Sequence, residues 1–272
     1  MSTNKKTTDS YGKYAEQWAM LMRSGENYGH VYVEKPSMYK RLPDLMGKNV
    51  LAVGCGTGEE CDHLKSLGAS NVVGIDASEG LIEYARKSYP DIEFRVMDME
   101  NIKLDEKFDF VYSSLVMHYV ESWKKALNSI SAVMKDDAIL LLSTHHPVAY
   151  GVKETDTEDE SVSLLGYKKS KKNDGYEIIG DYLNTRQVDG VMFGDLNVSY
   201  YHRSLESTIK DILESGFQIV DFAEPKAISA VKEKSKRYYE IRDKIPLFMI
   251  FALRKEHYHH LDIECPSGDI IV

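Results

Sequence analysis

Between residues 49 and 144 the chain alternates short runs of β-branched and aliphatic residues with longer stretches whose apolar positions recur every three or four residues. The short runs, 49–53, 72–75, 92–96, 108–112 and 138–143, have the length and near-continuous apolar character of strands covered on both faces. The stretches between them read as amphipathic helices. In the clearest one, Trp123, Ala126, Leu127, Ile130, Val133 and Met134 fall on a single stripe. Two more apolar runs, 217–222 and 247–254, follow a helix predicted over 204–215 and closed by Gly216. The alternation predicts an α/β fold: a doubly wound, mostly parallel, seven-stranded Rossmann-like sheet.

The flanks have a different pattern. A helical segment over 14–23 precedes the core and leads through a glycine-containing stretch to Pro36. Behind the fifth strand, residues 154–160 read ETDTEDE, and Lys168, Lys169, Lys171 and Lys172 follow; such charge blocks are expected as solvated loop. Alternating apolar and polar residues over 176–183 and 188–201 predict a small antiparallel hairpin capping the core.

Composition narrows the partners. The 272 residues carry a net charge of −9, which repels phosphate backbones and argues against nucleic acid. Cys55, Cys61 and Cys265 form no C-x-x-C pair, so reduced thiols in a cytoplasmic protein are expected rather than a disulfide framework or a zinc site. The first thirty residues hold no apolar h-region, so no signal peptide is expected. The longest apolar runs, such as 139–142 and 247–253, are far short of the roughly 20 residues that span a bilayer. The expectation is a soluble monomer or homodimer with no membrane partner.

The most informative stretch is Val53-Gly54-Cys55-Gly56-Thr57-Gly58-Glu59-Glu60, a buried strand running into three alternate glycines and a helix. Glycines there let a ligand approach the main chain where a Cβ would collide. Dinucleotides and S-adenosylmethionine both use such loops. In the dinucleotide pattern G-x-G-x-x-G, the third glycine would fall on Glu59, and two carboxylates at the helix start would repel a pyrophosphate. A sulfonium is content beside them. Asp76 closes the second strand 22 residues after Gly54, placed to accept both hydroxyls of an adenosine ribose, and Asp98 ends the third at the same sheet edge.

Together VLAVGCGTG, VVGIDAS, FRVMDME, FDFVYSSLVMHYVESW and ILLLSTHHPV resemble a class I S-adenosylmethionine-dependent methyltransferase of the small-molecule, ubiquinone-biosynthesis-like (methyltransferase type 11) group. The resemblance implies transfer of a methyl group to O, N or C of a small metabolite, leaving S-adenosylhomocysteine. It implies that Gly54, Cys55, Gly56 and Gly58 line the methionine and ribose. Asp76 would hold the ribose hydroxyls, Asp98 would contact the adenine amino group, Ala77 and Met99 would also bind the cofactor, and Ser114 and Leu115 would flank the site. Tyr11 or Tyr14 is expected to touch the ligand. The chain departs from the family at Ala52, where an acid usually stands two positions before the first glycine; Glu59 or Glu60 is the candidate replacement. The implied organisation is a helical lid (1–40), a cofactor-binding Rossmann-like core (41–146), a cap insertion (147–203), the C-terminal part of the core (204–256) and a tail (257–272).

In-line methyl transfer needs alignment and, for a protonated nucleophile, a base. His118 and His145, at the ends of the fourth and fifth strands, are the catalytic candidates because imidazole titrates near neutrality. The bland alternative is a packing role. His146 precedes Pro147 and reads as structural, whereas His202 and Arg203 are either anchors for an acidic substrate group or a surface turn. His257, His259, His260, Glu264 and Cys265 match no metal-ligand spacing, so no metal is expected. Two other readings stay open: lyase or cyclase chemistry on the same cofactor, and a non-catalytic S-adenosylmethionine-binding protein.

Overall fold

The computed structural model describes residues 4–150, 167–169, 176–178, 182–192 and 194–256. The acidic block 154–160, the tail 257–272 and Cys265 lie outside the described residues. The chain opens with α1 (Lys5–Lys13) and α2 (Ala15–Ser24), so the expected segment over 14–23 is the second of two helices that meet at Tyr14. A π-turn (His30–Glu34) and α3 (Lys35–Tyr39) then lead into the sheet.

The core alternates β1 (Asn49–Val53), α4 (Glu59–Ser66), β2 (Asn71–Asp76), α5 (Glu79–Ser88), β3 (Glu93–Val96), β4 (Phe108–Ser113), α6 (Trp123–Val133) and β5 (Met134–His145). Met134 is therefore not the last residue of the helical stripe. It opens β5, because its backbone is already paired with Phe108 of β4. Ser122 starts α6 by accepting the Lys125 N–H, and the stripe from Trp123 to Val133 is buried against the sheet.

The cap also differs from expectation. β6 (Tyr167–Lys169) pairs with β7 (Tyr176–Ile178), and β8 (Arg186–Val191) pairs with β9 (Asn197–His202), both antiparallel. The alternation over 188–201 thus belongs to two strands of one hairpin, which reverses between Val191 and Asn197 with the Met192 N–H bonded to the Leu196 carbonyl. The chain returns through α7 (Leu205–Glu214), capped by the Ser204 hydroxyl and followed by Gly216 at φ +72°, to β10 (Phe217–Ala223). A short helix, α8 (Lys236–Arg242), precedes β11 (Phe248–Lys255).

Seven strands form one sheet in the order β10-β11-β5-β4-β1-β2-β3, parallel except for β11, which runs against both neighbours. Alternate side chains supply two cores. Leu51, Val53, Val73 and Ile75 pack with Trp123 and Leu127 on one face, whereas Val50, Ala52, Val72 and Phe94 pack with Ile82 and Leu64 on the other. Strand order reverses between β1 and β4, and a crevice opens at the carboxyl ends of strands at such a switch point. Among the described residues no helix is long and apolar enough to cross a membrane.

Candidate active site

The crevice is a cavity of about 200 Å3 at the carboxyl ends of β1, β2, β4 and β5. Its floor is the glycine loop. The N–H groups of Gly54 and Cys55 both reach the Ile75 carbonyl, tying the loop to β2. Gly54, at φ +69°, passes so close beneath Val116 that a Cβ would stand 2.4 Å from its Cγ2. Gly56, at φ +53°, instead opens on the cavity, with only the Trp18 indole nitrogen 3.8 Å from the position a Cβ would take. Its N–H donates to Asp76 Oδ2 at 3.0 Å, and the Ser78 N–H donates to Oδ1 at 2.8 Å. Each carboxylate oxygen keeps a second lone pair. Burial raises the Asp76 pKa, and the backbone donors oppose that rise.

The lid forms one wall. The hydroxyls of Tyr11 and Tyr119 lie 2.6 Å apart, and Tyr11 also donates to Met192 Sδ in the cap at 3.0 Å. Ser78 donates to the Thr8 carbonyl, and the Ser199 N–H donates to the Thr7 hydroxyl, so α1 is stitched to both α5 and β9.

Beyond the glycine loop stands a buried ionic row. His30 Nδ1 is 3.0 Å from Glu34 Oε2, and its Nε2 is 3.1 Å from Glu60 Oε1, which also lies 3.4 Å from Lys35 Nζ. Glu34 Oε1 accepts from the hydroxyls of Ser114 and Ser143 at 2.9 and 2.6 Å, fixing the π-turn to the ends of β4 and β5. Burial opposes charge on His30, but the two carboxylates beside it outweigh this and raise its pKa to about 9. Burial likewise pushes Glu60 up, and His30 with Lys35 overrides it, bringing Glu60 down to about 2. The buried Tyr112 hydroxyl makes no hydrogen bond of good geometry, and neither do His30 Nδ1 and Glu34 Oε2 despite their 3.0 Å separation.

The two candidate histidines also line the cavity. Their rings stack 3.6 Å apart, with Tyr200 edge-on to both. Burial depresses the His145 pKa to about 3; burial, reinforced by His145, places His118 well below its ordinary value. Beside them Leu115 sits at φ +50°, the one non-glycine residue in the left-handed region among those described, held by the Ser143 hydroxyl and carbonyl on its N–H.

The structure therefore brings Tyr11, Gly54, Cys55, Gly56, Asp76, Ala77, Met99, Ser114, Leu115, His118 and His145 to one cavity. It does not bring Tyr14, Gly58 or Asp98 there. Tyr14 joins α1 to α2, Gly58 packs on Phe94 and Tyr89, and Asp98 accepts the Glu100 N–H to cap a single 3-10 turn. His146 is buried against Glu224, and Arg203 bonds Asp211 and the Glu121 carbonyl, so neither faces the cavity. Sequence reasoning missed His30, Glu34 and Tyr112. The i, i+4 spacing of His30 and Glu34 was the available signal, but their partners come from elements distant in sequence.

A family model described as a methyltransferase domain matches residues 51–142. The solved S-adenosylmethionine dependent methyltransferase of Mesorhizobium loti is 26% identical, with a TM-score of 0.63, over 82% of this chain and 97% of that one. The chain belongs to the class I S-adenosylmethionine-dependent methyltransferases. This methyltransferase is also 27% identical to an uncharacterized protein of Haemophilus influenzae, over 82% of its own length and 88% of the relative's. It is 36% identical to the ubiquinone biosynthesis O-methyltransferase of Rhodopseudomonas palustris, the match covering 39% of this chain and 43% of that one. It thus spans less than half of that enzyme.

The residues present in this methyltransferase fit S-adenosylmethionine. Gly56 leaves a cradle that a Cβ would fill, and the buried Asp76 carboxylate has lone pairs to offer a diol in the same cavity. No Lys or Arg is among the described residues that line the cavity.

Proposed function

We propose that this methyltransferase acts on O, N or C of a small, partly apolar metabolite that is uncharged at its accepting end, enclosed between the lid (1–40), the strand ends and the cap (147–203). The observation that carries the reading is the stacked His118–His145 pair, neutral by burial, in the same cavity as the glycine loop and Asp76. Neutral imidazoles accept a hydrogen bond from a hydroxyl or N–H, and the carboxylates lining the cavity, Glu59, Glu60 and Asp76, outnumber the His30 imidazolium, which disfavours anions.

When bound, S-adenosylmethionine supplies a sulfonium methyl whose carbon–sulfur electron pair stays on sulfur, giving S-adenosylhomocysteine. Asp76 would hold the ribose hydroxyls, Gly54, Cys55 and Gly56 would line the methionine and ribose, and Ala77 and Met99 would lie beside the nucleoside. Tyr14, Gly58 and Asp98 make no ligand contact in this reading. Ser114 and Leu115 set the edge at which the acceptor approaches in line. His145, braced by His118, takes the proton that a hydroxyl or amine acceptor must lose as its lone pair forms the new bond to carbon. The buried free thiols of Cys55 and Cys61 suit a reducing, cytoplasmic setting.

The test is a screen of uncharged phenols, alcohols and amines with the purified protein, reading S-adenosylhomocysteine release. Its appearance with a methylated acceptor supports the reading. Acceptor-independent formation of 5′-methylthioadenosine would replace it with lyase chemistry, and faster turnover of carboxylate or phosphate substrates would overturn the charge argument.

A further inference from the structure

A second, much smaller chamber lies behind the histidine pair. Its volume is about 20 Å3, and His118 and His145 line both it and the large cavity, so the two rings form the partition between them. The far side of the chamber is built from the start of α6, the residue after β9 and the first turn of α7, which contribute Trp123, Arg203 and Thr208.

Two N–H groups on that side have no partner among the described residues. The Trp123 indole is 2% exposed, and its Nε1–H makes no hydrogen bond. The Arg203 guanidinium commits Nη1 to Asp211 and Nη2 to the Glu121 carbonyl, which leaves its buried Nε–H unsatisfied. Each unpaired buried donor costs about 1–3 kcal/mol, so two beside one chamber mark a place for an acceptor atom. A chamber of this size takes one water. An anion is disfavoured, because Asp211 already balances the Arg203 charge.

Counting hydrogens sets the water's orientation. Accepting from Trp123 and Arg203 occupies both of its lone pairs, so it has two hydrogens to donate. Thr208 can take one, since its own hydroxyl hydrogen goes to the Ser204 carbonyl. His118 Nδ1 takes the other. Its contact with Thr144 Oγ1 is long, 3.5 Å, and Thr144 lines the chamber but not the large cavity, so Nδ1 is the ring nitrogen on the chamber side. Burial keeps His118 neutral, and a neutral ring that accepts at Nδ1 carries its proton on Nε2.

We propose that one water held by Trp123 and Arg203 donates to His118 Nδ1 and fixes this ring as the Nε2–H tautomer, an N–H donor toward the methyl-accepting molecule in the large cavity. Trp123 and Arg203 are positioning residues, acting through the water and His118. This rests on the reading of His145 as the base, and goes beyond it by giving the stacked rings opposite duties: His118 donates a hydrogen bond and His145 removes a proton.

The test is two-bond 1H–15N spectroscopy of the 15N-histidine-labelled full chain at pH 8, which reads where each ring proton sits, together with cross-relaxation from water to the Trp123 indole N–H. His118→Gln identifies the ring signals, and Trp18→Phe separates the two indoles of the chain. In the wild type the Nε2–H form of His118 should exceed the Nδ1–H form by about tenfold or more, with a water cross-peak at Trp123; Arg203→Gln and Trp123→Phe should each lower that ratio by about threefold or more. An Nδ1–H ring, a ratio that neither variant changes, or a Trp123 indole without a water cross-peak overturns the proposal. If thermal melting shows that Arg203→Gln does not fold, Trp123→Phe decides. These spectra need no turnover, so the two failures are distinguishable: the expected tautomer in a protein whose turnover survives His145→Ala undiminished would remove the base and leave the His118 donor in place.

Discussion

The imidazole rings of His118 and His145 lie nearly parallel, 13° apart in plane with centroids separated by 3.6 Å. Two imidazolium ions cannot share that contact, and burial already disfavours the first charge on either ring. Both rings are therefore free bases throughout the physiological range. His118 is tied to the sheet by a long contact from Nδ1 to the Thr144 hydroxyl at 3.5 Å.

That state fixes a pH signature. A ring with its pKa near 3 stays unprotonated at any higher pH, so turnover on a hydroxyl or amine acceptor should show no rise through pH 6–7, where an ordinary histidine titrates. His145→Ala should lower kcat by about 10²- to 10⁴-fold with a smaller effect on KM. A pH–rate profile of the wild type and steady-state kinetics of the variant check both. A step near pH 6.5 would show that the base is another group.

Asp76→Ala should weaken S-adenosylhomocysteine by about 1–3 kcal/mol, because the ribose hydroxyls lose a buried partner and the N–H groups of Gly56 and Ser78 lose their acceptor. Titration calorimetry reads the loss. Asp98→Ala is the internal comparison: Asp98 caps a 3-10 turn instead of facing the cavity, so affinity should be nearly unchanged. A larger loss for Asp98→Ala would reverse the assignment of the two acids.

His30 predicts how stability depends on pH. Its folded pKa, about 9, is above the ordinary value of 6.5, so the folded state holds the proton more tightly. The stabilisation is complete below pH 6.5 and disappears as pH rises through 9, a change of about 3 kcal/mol for a shift of this size. Glu60 has the opposite sign: its pKa is depressed to about 2, so its contribution is present above pH 4.5 and is lost as pH falls through 2. Urea unfolding between pH 6 and 10 should show the alkaline loss in the wild type but not in His30→Gln.

The parallel core was legible because its strands are apolar on both faces and its glycine loop is local: Gly54, Gly56 and Asp76 act through backbone geometry that short motifs encode. Met134 was not, since whether it ends α6 or opens β5 depends on pairing with Phe108, a partner in another strand. The cap was misread as one hairpin because alternation has the same period on either side of the reversal between Val191 and Asn197. The row of His30, Glu34 and Glu60 was only partly legible for a related reason. His30 lies between two carboxylates that are 26 positions apart in the chain and meet only through folding. Asp98 shows the converse: it occupies the expected strand end, yet a local N–H at Glu100 captures its carboxylate.

Gly54 offers a test that separates the backbone from the ligand. Its φ of +69° costs an L-residue about 1–2 kcal/mol, and a Cβ placed there would penetrate Val116 at 2.4 Å from Cγ2, 2.6 Å from Cβ and 2.7 Å from Cγ1. Gly54→Ala should therefore destabilise the fold by more than the conformational term alone. Val116→Ala removes both methyl groups that are in the way, so the double variant should recover part of the loss, leaving a coupling of about 1 kcal/mol or more between the sites. Thermal melts of the two single variants and the double variant give that coupling directly. Additive losses would mean that the loop moves away from Val116 to admit the methyl, and then S-adenosylhomocysteine affinity should fall with it, because the N–H of Gly56 is drawn from Asp76.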